Sequence, residues 1–142
     1  EILHPPARYP ARGNDVSCVL RVATSESVAL LTGDAGEVAE MRLLNLHAPR
    51  LASDVLLLGH HGSQTSSTAE FVIAVAPKLA IATAGYRNRF DHPHRQVLRR
   101  LAHHRIPVYE TSRSGALRIL LDDNGVVWRA RRRDVRRFWH EL

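Results

Sequence analysis

Three short runs in this sequence carry side chains that could share acid–base or metal chemistry: Gly33-Asp34, then His60-His61-Gly62-Ser63, then Asn88 with Asp91, His92 and His94. Neutral imidazole is a good ligand for Zn²⁺, and a carboxylate can bridge two ions. A pair of ions a few ångströms apart generates hydroxide and clamps a phosphodiester. Glycines beside the histidine pair would let a ligand approach the backbone closely. Each residue also has a plainer reading. Asp34 could be the N-cap of a following helix. His60 and His61 could be ordinary loop histidines, and His92, just before Pro93, could simply lead into a helix. His47, His94, His103, His104 and His140 read as structural. One aspartate and one or two histidines do not complete a two-metal site.

The elements that must position these residues can be read from hydropathy. Residues 28–32 (VALLT), 54–58 (DVLLL) and 79–83 (LAIAT) are continuous apolar runs of the kind found in strands buried on both faces. A further strand with some alternation is expected over 16–23, and a short one over 108–111. Helices are expected over 37–46, with Val38, Met41, Leu44 and Leu46 on one face; over 68–75, capped by Ser67 or Thr68; and after Pro93 to about 104, with Val97, Leu98 and Leu101 inward. Residues 117–121 and 126–130 flank Asp122-Asp123-Asn124-Gly125, a hairpin signal. Residues 1–13, with three prolines and a glycine, read as an irregular opening segment. Residues 131–142 read as a basic amphipathic helix, with Val135, Phe138, Trp139 and Leu142 at helical spacing. Buried strands alternating with helices make this an α/β layered domain. In such sheets ligands sit beyond the carboxyl ends of the strands. All three chemical runs follow a strand, which puts their side chains roughly 5–10 Å apart.

Composition narrows the class without fixing it. The chain has 142 residues, a formal charge of +6 and 44% hydrophobic residues. That is enough for one domain with a core. No apolar run reaches transmembrane length and no signal-peptide pattern is present, so this stretch is expected to be soluble by itself. It starts without an initiator methionine, as expected of a piece of a longer chain. Lys78 is the only lysine among the 20 basic residues. The arginine excess is either a solvated surface or a match to phosphate oxygens. Cys18, the only cysteine, excludes an internal disulfide and a cysteine-rich zinc site, and is expected in the core. The 6% aromatic content offers no clear platform for stacking single strands.

Taken in order, NDVSCVLRV, LLTGD, DVLLLGHHGSQTSS, AGYRNRFDHP, a helix, VYET and SGALRI resemble the metallo-β-lactamase-like domain of the ComEC/Rec-type competence proteins. The resemblance covers residues 13–121; any one motif is weak, but the ordered set is specific. It implies the C-terminal half of an αββα sandwich, two sheets flanked by helices. It implies that Asp34 is a metal-bridging carboxylate and that the late histidine ligand is His60 or His61, with His60 nearer the strand end. The other histidine would touch substrate or second the ligand. His92 would contact substrate or transfer protons, beside Asn88, and Ser63 would donate to a phosphate oxygen. The cofactor would be Zn²⁺ or Mn²⁺. The family's H-x-H-x-D-H cluster matches nothing here, so those ligands are expected upstream of residue 1.

Two classes of function follow from the resemblance. In the first, the parent domain is a metal-dependent phosphodiesterase or nuclease of a DNA-uptake channel, and this part is inactive alone. Its partners would be DNA and the remainder of a channel protein in the bacterial inner membrane, with this domain on the periplasmic side. In the second, the fold is kept as a non-catalytic module that guides DNA. A small-molecule metallo-hydrolase is a third alternative.

Overall fold

The computed structural model describes residues 1–10 and 12–135. Six strands, β1 (Ile2–His4), β2 (Val19–Ala23), β3 (Val28–Leu31), β4 (Val55–Leu57), β5 (Leu79–Ala82) and β6 (Val108–Glu110), form one sheet in the order of the chain. β1, β2 and β3 pair antiparallel, whereas β3 through β6 pair parallel. The parallel connections carry α1 (Glu37–His47), α2 (Ala69–Val75) and α3 (Arg95–His103). Crossovers between parallel strands are right-handed. When the strands are also laid down in sequential order, every crossover falls on the same face. Accordingly, Leu30, Leu56, Ala80 and Ala82 pack with Leu43 of α1, Phe71, Val72 and Val75 of α2, and Val97 and Leu101 of α3 in one core.

The alternate strand residues Ala29, Val55, Leu79 and Ile81 point the other way. They meet a hairpin of β7 (Leu117–Asp122) and β8 (Gly125–Ala130), through Leu117, Ile119, Leu121 and Val126. Short helices α4 (Thr111–Ser114) and α5 (Arg131–Asp134) flank the hairpin. Its tip is tied to the β2–β3 turn, where the Thr24 and Ser27 hydroxyls donate to the Asp122 carbonyl at 3.3 and 3.0 Å. The hairpin does not reach across the whole sheet. Ile2, paired with Leu20, and Val22, paired with Ala29, stay 64% and 40% exposed.

The α/β layering, the three buried parallel strands, the hairpin and the inward Val97 and Leu101 match the sequence reading. Four local expectations do not. Within the irregular opening segment, Ile2–His4 is a strand, and buried His4 reaches the Asp15 carbonyl at 2.7 Å. The strand expected from residue 16 starts at Val19, because Gly13–Val16 is a 3-10 turn. Cys18 then falls before the strand and is exposed, not core. On α1, Val38, Met41 and Leu46 are exposed while Ala39, Glu40 and Leu43 are buried. The helix is rotated so that Glu40 can reach two backbone N–H groups of the chain leading into α2. A hydrogen-bonding demand across the core thus overrides the best apolar stripe. Of the expected C-terminal helix, 131–134 is helical, and residues 136–142 lie outside the described residues.

Candidate metal and phosphate site at the strand ends

Asp34 follows β3 and is not a helix cap: α1 is capped by Gly36 and begins at Glu37. Its carboxylate, half exposed, lies with Oδ1 3.5 Å from Nε2 of His61, also half exposed. The other ring nitrogen of His61 meets the Thr83 hydroxyl, Nδ1 to Oγ1 at 3.1 Å. When Nδ1–H donates to Thr83, the Nε2 lone pair and the carboxylate face each other as two acceptors, a gap that a cation or a proton fills. When both ring nitrogens are protonated, the imidazolium and the carboxylate make a direct ion pair.

His60 turns to the opposite side. Both of its ring nitrogens lie 3.4 Å from Nδ2 of Asn14, in the turn before β2. The rings of His60, His61 and His92 form a triangle, with centroids 5.6 Å (His60–His92), 6.4 Å (His61–His92) and 6.4 Å (His60–His61) apart. Burial, seconded by the neighbouring His60 and His61, holds the His92 imidazole below its ordinary value and so neutral at pH 7.

The histidine pair is displayed by an unusual backbone. His60, His61 and Gly62 all take left-handed conformations, at φ 46°, 58° and 81°. For non-glycine residues this costs on the order of 1–2 kcal/mol each, and it persists only when the surroundings impose it. Here they do. The His60 amide donates to the Gly33 carbonyl at 3.0 Å, and the His94 amide to the Gly62 carbonyl at 2.8 Å. The Ser66 hydroxyl reaches the Gly59 carbonyl at 2.6 Å and the Ser63 carbonyl at 2.9 Å. A Cβ on Gly59 would lie 2.3 Å from the Ala35 carbonyl oxygen, so only glycine fits there. Below the loop, the Glu40 carboxylate accepts from the amides of Ser67 at 2.5 Å and Thr68 at 2.8 Å. Arg100 donates to the carbonyls of Ser66 and Ser67. Burial pushes the Glu40 carboxyl up from its ordinary value, against the pull of those two amides and the Arg100 charge.

The remaining sequence candidates hold the site's walls. Ser63 is buried, with its hydroxyl against that of Thr65 at 3.1 Å. Asn88 is engaged at both ends of its amide: Nδ2 donates to the carbonyls of Gly85 and His92 at 3.1 and 2.7 Å, and Oδ1 accepts from the amides of Phe90 and His92 at 3.3 and 3.0 Å. It fixes the loop that presents His92. His94 caps α3, its Nδ1 accepting from the Gln96 amide at 3.3 Å. A pocket of about 240 Å³ opens among His61, Thr83, Asn88, Phe90 and His92. Sequence reasoning missed two contacts. Asn14 sits inside a quoted motif but belongs to no recognisable chemical pattern, and Thr83 was only the last residue of an apolar strand.

Asp34 and His61 fit one side of a metal's coordination shell, carboxylate and imidazole facing each other with the imidazole oriented from behind. Among the described residues no group of three or more His, Cys, Asp or Glu side chains is arranged to hold an ion. Nor is any described helix long and apolar enough to cross a membrane.

Over most of its length the chain is similar to a short segment of three longer bacterial proteins, one of them named for competence. It is 41% identical over 139 residues to Competence protein ComA of Neisseria gonorrhoeae, covering 98% of this chain and 20% of that protein. It is 40% identical over 116 residues to ComE operon protein 3 of Bacillus subtilis (82% and 15%), and 36% identical over 120 residues to Recombination protein 2 of Haemophilus influenzae (84% and 15%). The chain thus spans a fifth or less of the length of these relatives. No family model matches it.

Proposed function

We propose that this domain is the C-terminal half of a metallo-β-lactamase-like sandwich that hydrolyses phosphodiester bonds of DNA during natural transformation. Three things support the reading. The relatives are named for competence and recombination. The helices cover one face of the sheet, leaving the other for a second layer that the hairpin only begins. The observation that carries it is the pair of Asp34 and His61 at 3.5 Å, with His61 anchored by Thr83.

In this reading Asp34 and His61 would hold one side of a zinc or manganese site, with the other donors supplied from beyond these 142 residues. The bound ion would supply an activated water and a Lewis acid for phosphorus. The residues of this chain orient and exchange protons around it. His92, neutral at pH 7 and held by Asn88, is placed to take or return a proton. His60, steadied by Asn14 on the other side of the loop, can donate to a phosphate oxygen of a strand that passes there. Ser63 supports the loop from below. The whole protein would place this domain on the periplasmic side of the inner membrane, beside the channel that takes up DNA.

A second reading is a DNA-guiding module without catalysis. The formal charge of +6 favours it.

Calorimetric titration of the longer parent protein, which would carry the remaining donors, with Zn²⁺ and with Mn²⁺ separates the two. The catalytic reading expects one-to-one binding that is lost in Asp34→Ala and in His61→Ala and kept in His60→Ala. Absence of binding, or binding indifferent to Asp34→Ala, leaves the guiding module standing.

A further inference from the structure

The loop between β5 and α3 carries large aromatic side chains that the core does not use. Tyr86 is 68% exposed and Phe90 61% exposed. Each has an arginine over its ring: the Arg87 guanidinium lies 5.2 Å from the Tyr86 centroid and that of Arg89 4.7 Å from the Phe90 centroid. Both rings are exposed and each is paired with a cation; Phe90 lines the pocket that leads to His61, and Tyr86 follows Gly85, another of its lining residues.

The rim is built. Asn88, between the two aromatic–arginine pairs, binds the backbone of Gly85, Phe90 and His92 with both ends of its amide. Phe90 stacks on His92, with centroids 5.7 Å apart and planes 28° apart. His92 in turn lies at 30° to His61. One stacked pair, Phe90 on His92, and one tilted pair, His92 with His61 at 6.4 Å, therefore lead inward from the solvent-exposed loop to the residue that faces Asp34.

We infer that residues 85–91 form a base-stacking clamp, and that the substrate class of this site is a polynucleotide with unpaired bases. The inference rests on the DNA reading above and adds a specificity determinant to it. Flat rings beside cations match the two invariant parts of a nucleotide, a π-face and a phosphate. Aromatic stacking tolerates any base sequence, since every base has a π-face, and arginine takes phosphate oxygens at the same time. A base inside a duplex has both faces covered by its neighbours, whereas an unpaired base has them free to stack on the exposed Tyr86 ring, or on Phe90 where the Arg89 guanidinium swings off its face to a phosphate. Arg87 and Arg89 then bear the backbone charge while the stacked base sets how far the strand reaches toward His92 and His61. Asp91, the acidic group of the loop, is exposed and lies next to His92. It keeps backbone phosphates on the arginine side.

The test is fluorescence anisotropy with the complete 142-residue chain in EDTA, so that no cleavage occurs. The probes are a labelled oligothymidylate and a blunt hairpin duplex of equal charge. Variants are Tyr86→Ala, Phe90→Ala, their combination, the conservative Tyr86→Trp, and Arg87→Gln with Arg89→Gln. Losing the rings should weaken single-strand binding by about tenfold or more per stacked base. Duplex binding should change by less than about twofold, because phosphate contacts alone position a duplex. Tyr86→Trp should keep wild-type affinity. The arginine pair should weaken both probes and flatten the dependence on salt. Equal losses on both probes, or none, in the aromatic variants overturn the clamp while leaving the DNA reading intact. Failure of the wild type to bind either polynucleotide overturns both. Matching thermal melts confirm that the variants are folded, and a polypeptide interface at these rings would show as wild-type-like binding in every aromatic variant.

Discussion

Removing the Glu40 carboxylate should unfasten the histidine loop from below. Glu40 is buried and receives the amides of Ser67 and Thr68, one on each oxygen. In Glu40→Ala both donors lose their partner in a site closed to water, and each such loss costs roughly 1–3 kcal/mol. Relief from burying a charge offsets part of this, as the raised pKa of Glu40 indicates. The net loss should be about 3 kcal/mol, which at this chain length lowers the melting temperature by about 10 °C. Glu40→Gln keeps one acceptor but turns an amide donor toward a backbone donor, and should fall between the two. Acidity gives a second signature. The folded-state pKa of Glu40 lies above the unfolded value of 4.5, so the folded state binds the proton more tightly. Wild-type stability should therefore gain on that of Glu40→Gln as pH falls from the folded pKa toward 4.5. Differential scanning calorimetry measures the first effect, and hydrogen exchange at the Ser67 and Thr68 amides localises it. A Glu40→Ala melt within about 2 °C of wild type, with unchanged exchange at those two amides, would refute the reasoning.

Two further outcomes test the frame around the site. Gly59→Ala drives a methyl group into the Ala35 carbonyl at 2.3 Å and should cost more than about 2 kcal/mol in urea unfolding, whereas Gly85→Ala, with nothing within 4 Å, should be close to neutral. Asp54 pairs with Lys78 at 2.8 Å and also accepts from the Val28 amide at 2.8 Å, contacts that hold its carboxyl below the ordinary 3.8. Stability from this group is present above 3.8 and lost as pH falls through the lower folded value. Asp54→Asn should thus be about 1 kcal/mol less stable at neutral pH, with the gap closing in the acid range; a gap that persists at low pH contradicts the assignment.

The layering was legible because buried parallel strands advertise themselves as unbroken apolar runs: VALL, VLL and LAIA are strands where the sequence places them. The strand-end rule also brought Asp34, His60, His61 and His92 into one neighbourhood. What periodicity could not show was the rotation of α1. Val38, Met41 and Leu46 outbid Ala39 and Leu43 on hydropathy, but Glu40 decides the helix's orientation through partners some 27 residues away in the chain. Hydropathy alone extends the second strand backward over a turn that Gly13 initiates at φ 61°, and so carries Cys18 into the core. The separate orientations of His60 and His61 were beyond reach for another reason. Consecutive left-handed residues leave no mark in composition, so the different partners of the two histidines, Asn14 for His60 and Thr83 for His61, could not be read from it.

The unequal covering of the sheet also governs how the molecule behaves in solution. Three helices seal one face, while Ile2 and Val22 are left uncovered beyond the hairpin's reach. Leu120 and Val127, on the hairpin, add 50% and 51% exposed side chains of their own. These four side chains add apolar area to that side of the molecule. It should collect at air–water and lipid–water boundaries and be quieted by mild detergent, and strongly excluded salts should drive it toward self-association.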